Sequence, residues 1–430
     1  MMENIILPPK DSWSALCKRP LLDIPNIEKP VRAILNRVRI EGDKALRDYS
    51  KQFDKVETGD LRVSPEEIEE AERLVPESLK IAIGIAKNNI EVFHKAQVCK
   101  TEIVETVAGV RCWRKNVPVE KTGLYIPGGS APLFSTVLML AVPASIAGCR
   151  RIIICTPPDQ TGKVSPVLLY SAGICGIKEI FKAGGAQAVG AMAYGTETIP
   201  KVDKIFGPGN QYVTRAKEIV QSEGVAIDMP AGPSEVLVIA DESANPAFIA
   251  ADLLSQAEHG PDSQVVLVSD SSSLLNKVKR EVDTQLQSLP RKSIAGHSLL
   301  NSLAILLNNL DECIEFSNTY APEHLIINTK NADLLADKVI NAGSVFLGSF
   351  SCESAGDYAS GPNHTLPTNG FAKTFSGVSV DSFVKKITFQ ELTAKGIMNL
   401  GPAVEILAQA EGLEGHKNAV TIRLKSIKND

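Results

Sequence analysis

The chain has 430 residues, 44% of them hydrophobic, enough for two to four ordinary domains with buried cores, which excludes disorder and fibrous repeats. Lys and Arg number 45 against 50 Asp and Glu, a formal charge of −5. With no basic block to neutralise a phosphate backbone, nucleic acid is a poor partner. The eight cysteines are scattered without a CxxC spacing, which points to reduced thiols in a cytoplasm-like compartment.

Met1 to Lys10 lacks a basic start followed by a long apolar core, so no signal or transit peptide is expected and the location reads as cytoplasmic. Pro8, Pro9, Pro20, Pro25 and Pro30 interrupt any period and predict an extended arm over residues 1–29. Helical patterns then dominate to about residue 98, and 30–120 is expected as the helical part of a first globular domain. Ser64-Pro65-Glu66-Glu67 supplies a cap hydroxyl, a first-turn proline and a Glu to return the capping bond. From Gly123 to Cys149 no side chain is charged, which raises the question of a membrane span. Pro127, Gly128, Gly129, Pro132 and Pro143 break the segment too often, so a buried helix after a Gly/Pro-rich loop is expected and no membrane partner.

The β-branched runs Arg151 to Cys155, Glu235 to Ala240, Gln264 to Val268 and Ser344 to Leu347 alternate with helical stretches rich in Ala and Leu. That alternation predicts an α/β fold: two doubly wound, incomplete Rossmann-like units over 121–234 and 235–378, the second completing the first globular domain. Strands are expected to stop near residue 380. The remaining 379–430 reads as an extended helical tail, too small for its own core, that packs on another unit or another subunit.

Six histidines occur, at 94, 259, 297, 324, 364 and 416. Asn245-Pro246 should cap a helix running to Glu258-His259 and stopped by Gly260-Pro261, placing Gln256 and His259 on one face. Such a pair can ligate a divalent metal, or the imidazole can simply cap carbonyls. Glu323-His324 stands before the strand-like Leu325-Ile326-Ile327, either as two bases of different pKa or as a solvated turn. Ser351 to His364 is dense in small residues and carries Cys, Glu, Asp and His after a strand, the pattern of a site loop. The glycine turns Pro127-Gly128-Gly129, Gly184-Gly185-Ala186-Gln187 and Gly207-Pro208-Gly209-Asn210 suit phosphate approach, although tight turns need glycine regardless. His94 and His297 read as structural or solvated.

Read in order, Gly123-Leu124-Tyr125-Ile126-Pro127-Gly128-Gly129, Gly184-Gly185-Ala186-Gln187, Phe206-Gly207-Pro208-Gly209-Asn210, Asp228-Met229-Pro230-Ala231-Gly232-Pro233-Ser234-Glu235, Ser255-Gln256-Ala257-Glu258-His259-Gly260-Pro261-Asp262-Ser263-Gln264, Pro322-Glu323-His324-Leu325-Ile326, Glu353-Ser354-Ala355-Gly356-Asp357-Tyr358 and Gly415-His416-Lys417-Asn418-Ala419-Val420 resemble the histidinol dehydrogenase family from about residue 28 to 428. The resemblance implies oxidation of L-histidinol to L-histidine through L-histidinal with two NAD⁺, at one Zn²⁺ per subunit of a homodimer. It implies Gln256, His259 and Asp357 as zinc ligands, with His416 the fourth, contributed by the partner subunit's tail. Glu323 and His324 match the catalytic acid–base pair. Ser234, His364 and Glu411 match substrate contacts, which the ligands and His324 join, and Tyr125, Gln187 and Asn210 match dinucleotide contacts. On this reading 121–234 is associated with the dinucleotide and 235–378 carries the metal and catalytic residues.

Rival readings are a thiohemiacetal mechanism through Cys112, Cys149, Cys155 or Cys352, a zinc hydrolase in which Glu323 activates water, and a non-catalytic metal-binding or assembly protein. The hydrolase leaves the three glycine-rich turns and the second α/β block unexplained, and the non-catalytic protein fits poorly with charged site residues that all match the catalytic pattern.

Overall fold

The computed structural model describes residues 2–20, 27–128, 133–230 and 232–429. Gly129 of the first glycine turn, Ala231 of the Asp228 to Glu235 string and Pro25 of the arm lie outside them. The strands are β1 (Glu3–Ile6), β2 (Ile103–Val107), β3 (Val110–Pro118), β4 (Lys121–Tyr125), β5 (Arg151–Thr156), β6 (Glu179–Lys182), β7 (Lys204–Phe206), β8 (Ala226–Ile227), β9 (Glu235–Ala240), β10 (Gln264–Ser269), β11 (Leu303–Leu306), β12 (His324–Asn328), β13 (Ser344–Leu347) and β14 (Val384–Leu392). Among the described residues they form two parallel sheets, β6-β5-β4-β7-β8 and β1-β11-β10-β9-β12-β13, and an antiparallel ribbon, β14-β3-β2.

Both parallel sheets are doubly wound, as the alternation of runs and helices predicts. Every residue of β9, β10 and β12 is buried, the mark of strands covered on both faces, which is why they read as unbroken apolar runs. Two elements depart from expectation. The N-terminal arm is in part a strand, since β1 pairs parallel to β11 at the sheet edge. Strands also do not stop at 380: β14 pairs along its whole length with β3, Val384 opposite Pro118 and Leu392 opposite Val110. Most of β14 is exposed, so its sequence, interrupted by Lys385, Lys386, Gln390 and Glu391, lacks the apolar run that revealed the other strands.

Local signals hold where side chains satisfy helix ends. The Ser64 hydroxyl accepts from Glu67 N at 3.2 Å while Glu67 Oε2 accepts from Ser64 N at 2.9 Å, completing the capping box. The uncharged segment forms the helix Phe134–Ala147, buried continuously from Ser135 to Ala144. Pro143 in its interior removes one amide donor and frees the carbonyl of Met139. Asn363 Nδ2 donates to that carbonyl, tying the loop that carries His364 to the helix that follows β4. No helix among the described residues is long and apolar enough to cross a membrane.

Candidate active site

The site grows from the amino-terminal ends of β9 and β12, which are neighbours with His324 opposite Val236. Glu323 and His324 are buried there, at 6% and 3% exposure, rather than forming a solvated turn. Glu323 Oε2 accepts from the amide of Glu235 at 2.9 Å. Glu235 O lies 3.4 Å from His324 Nδ1, so the imidazole donates from Nδ1 and presents Nε2 to the site. Burial pushes the Glu323 carboxyl up to about 8, against the pull of His324. Burial alone would lower His324, but Glu353, Glu323 and Asp357 outweigh it and raise it to about 10.

The helix Pro246–Ala257 starts from the Asn245 cap and returns to the same sheet edge, where Gln256 is wholly buried. His259 falls just past the helix end, its N–H bonded to Gln256 O at 3.2 Å, and is exposed. After β13 the helix Glu353–Tyr358 places Glu353 and Asp357 one turn apart on one face. Ligand atoms of His259, Glu353 and Asp357 lie within 4.8 Å of one another. With its amide turned to satisfy both ends, Gln256 donates to Glu353 and accepts from Glu235 N at 3.2 Å. Asp357 Oδ1 and His324 Nε2 are 3.3 Å apart, yet neither has a hydrogen-bond partner. Two orphaned buried polar atoms beside a mixed imidazole, carboxylate and amide donor set fit a divalent cation such as zinc.

His364 links the two α/β units. Its Nδ1 donates to Asp357 O at 2.8 Å, and its Nε2 accepts from the Thr136 hydroxyl at 3.2 Å, on the helix that follows β4. A cavity of about 1280 Å³ opens at the carboxyl ends of β4 and β5 and in the turns after β6 and β7, lined in part by Tyr125, Gln187 and Asn210. It sits at the switch between β4 and β7, where such sheets bind ligands. Gly207 is required there: its φ is +126°, and a Cβ would fall 2.0 Å from Tyr125 O. Asn210 also caps the helix Gln211–Ser222, accepting from Tyr212 N and Val213 N at 3.1 Å.

Ser234 adjoins Glu235 at the start of β9 and is half-buried. Glu411 and His416 are not brought to this cluster within the chain. They are exposed on the C-terminal helices Ala394–Ala410 and Glu414–Asn429 and the turn between them. Sequence reasoning singled out the loop holding Glu353 but not that residue; its spacing of four from Asp357 was the available signal. Burial and its acidic neighbours raise Glu353 well above the usual carboxylate range.

A histidinol dehydrogenase family profile matches residues 17–424. The chain belongs to the histidinol dehydrogenase family. Histidinol dehydrogenase of Bacteroides thetaiotaomicron is 59% identical over 428 residues, with all of both chains covered. That of Escherichia coli K12 is 53% identical over 405 residues, 94% of this chain and 92% of the other. A crystal structure of histidinol dehydrogenase from Elizabethkingia anophelis, 58% identical, superposes with a TM-score of 0.98 over 99% of each chain. Membership supports histidinol dehydrogenase activity, an oxidoreductase acting on a small-molecule substrate. Burial raises the Cys149 and Cys155 thiols, the reverse of what a nucleophilic thiolate needs.

Proposed function

We propose that the chain oxidises L-histidinol to L-histidine through L-histidinal, with two NAD⁺ and one Zn²⁺ per subunit, in a cytoplasmic homodimer. The observation that carries this reading is the buried Glu323–His324 pair facing Gln256, His259 and Asp357, a cluster that His364 bonds to the helix following β4. Gln256, His259 and Asp357 would hold the zinc with the partner subunit's His416. Bound there, the metal would supply a Lewis-acidic centre for the substrate imidazole and amine, and its charge would offset the pull of Glu353, Glu323 and Asp357 so that His324 Nε2 and the Glu323 carboxylate can accept protons.

His324 takes the hydroxyl proton through Nε2 as the carbinol hydride leaves for the first NAD⁺. Glu323 then removes a proton from water as the oxygen adds to the aldehyde, and the imidazolium of His324 returns its proton to the carbonyl oxygen, giving the hydrate and a neutral His324. His324 takes a hydrate hydroxyl proton while the second hydride leaves for a second NAD⁺, and the carboxylic acid formed then loses its remaining proton to give the carboxylate. Ser234, His364 and Glu411 hold substrate; Tyr125, Gln187 and Asn210 hold the dinucleotide. Retaining the aldehyde between steps prevents loss of a reactive carbonyl.

The dimer reading is supported by the C-terminal tail. Its helices pack on each other and on β2 and β14, leave Ile406 and Leu407 exposed, and keep Glu411 and His416 away from the chain's own cluster. A second copy would bring both residues to a site that lacks them. The test follows NADH absorbance from L-histidinol with enzyme as purified, chelated, and restored with zinc. Two NADH per histidinol, lost and regained with the metal, is the expected result; no NADH from metal-replete, folded dimer overturns the proposal.

A further inference from the structure

Arg19 is a charged residue of the N-terminal arm, yet its side chain is only 7% exposed and that of its partner Glu235 1%. Desolvation offsets most of the attraction in a buried ion pair, so such a pair explains geometry better than it explains stability. The guanidinium makes a fork: Nε donates to Glu235 Oε2 at 2.7 Å and Nη2 to Oε1 at 2.9 Å. Nη2 also donates to Tyr320 O at 2.7 Å, and the group lies 3.5 Å over the Tyr320 ring.

Both partners lead to the catalytic pair. Glu235 is the residue whose amide holds Glu323 and whose carbonyl faces His324 Nδ1. Tyr320 ends the helix before Ala321, which is forced to φ +55°, a costly conformation for a residue with a Cβ. Pro322, Glu323 and His324 follow directly. One guanidinium therefore ties the start of β9 to the turn that enters β12, beside the bond from the Glu235 amide to Glu323 and a 3.4 Å contact from the Tyr320 hydroxyl to Glu235 Oε2, ahead of the strand register that begins with His324 opposite Val236.

We infer that Arg19 is a positioning residue for Glu323 and His324, acting through Glu235 and the Tyr320 carbonyl. The inference rests on the acid–base roles proposed above. Lysine carries the charge but not the fork, so it cannot hold both carboxylate oxygens and the carbonyl at once.

The test uses the full-length, metal-replete enzyme with two variants, R19K and the charge-free pair R19M/E235M, which leaves no buried ion unpaired. Each is compared with the parent for thermal midpoint, kcat and KM with L-histidinol, and the pH profile of kcat. In the charge-free pair kcat per folded site should fall on the order of tenfold to a hundredfold, as expected for slight misplacement of reacting groups, with KM little changed and the pH profile moved. R19K should retain the parental thermal midpoint and show a smaller loss of the same kind. Parental kcat per folded site and parental pH profile in either folded variant overturns the inference, whatever happens to the midpoint. A parent that makes no NADH would instead sink the proposed function, which separates the two failures.

Discussion

Asp252 offers a quantitative check of the electrostatics around the site. It lies on the helix Pro246–Ala257, one turn before Gln256, and is 8% exposed. Burial raises its carboxyl from 3.8 to about 7. At about 1.4 kcal/mol for each tenfold change in acidity, that difference is on the order of 4 kcal/mol. The folded chain binds the proton more tightly than the unfolded chain, so Asp252 costs nothing below about pH 4. It then destabilises progressively as pH rises toward 7, and the full cost stands above it. Asp252→Asn keeps the shape and removes the charge. Its thermal or urea midpoint should match the parent near pH 4 and exceed it by a margin that grows to about pH 7 and then levels. A margin independent of pH, or a variant less stable than the parent at alkaline pH, would refute the burial argument.

Three further outcomes concern the proposed chemistry. Glu323→Gln should impair aldehyde oxidation more than alcohol oxidation, assayed with L-histidinal and L-histidinol separately; equal loss in both removes Glu323 from water activation. His416→Ala and Gln256→Ala subunits should each be inactive and regain part of the activity when mixed, because one composite site per heterodimer is intact. Failure despite demonstrated subunit exchange would return His416 to its own chain. Cys352→Ala should retain turnover within about twofold, as a substitution outside the chemistry does; loss of the aldehyde step alone would revive the thiol mechanism.

The parallel sheets were legible because strands such as β9 and β10 are buried on both faces and must be apolar throughout. The antiparallel ribbon was not, since β2 and most of β14 are exposed and bear the polar residues that surface strands require. Motif strings located Glu323, His324, Gln256, His259 and Asp357, but the rule that α/β sites lie at carboxyl strand ends would have misplaced them. It describes the switch-point cavity, whereas the catalytic pair occupies the amino-terminal edge of the other sheet. Arg19 and Glu235 could not be paired from sequence, because no periodicity joins an arm residue to a strand so far along the chain.

Loop-closure cost argues for a late place for the pairing of β3 with β14 in assembly. Every strand of both parallel sheets except β1 lies between these two in the chain, so joining them first would close a very long loop before any contact rewards it. The helices bearing Glu411 and His416 hang from β14 and reach their places after the parallel sheets are built. If a neighbouring copy then receives those residues, turnover reports completion of the whole particle. A half-assembled molecule is silent, and no stage of its folding releases unfinished chemistry into its surroundings.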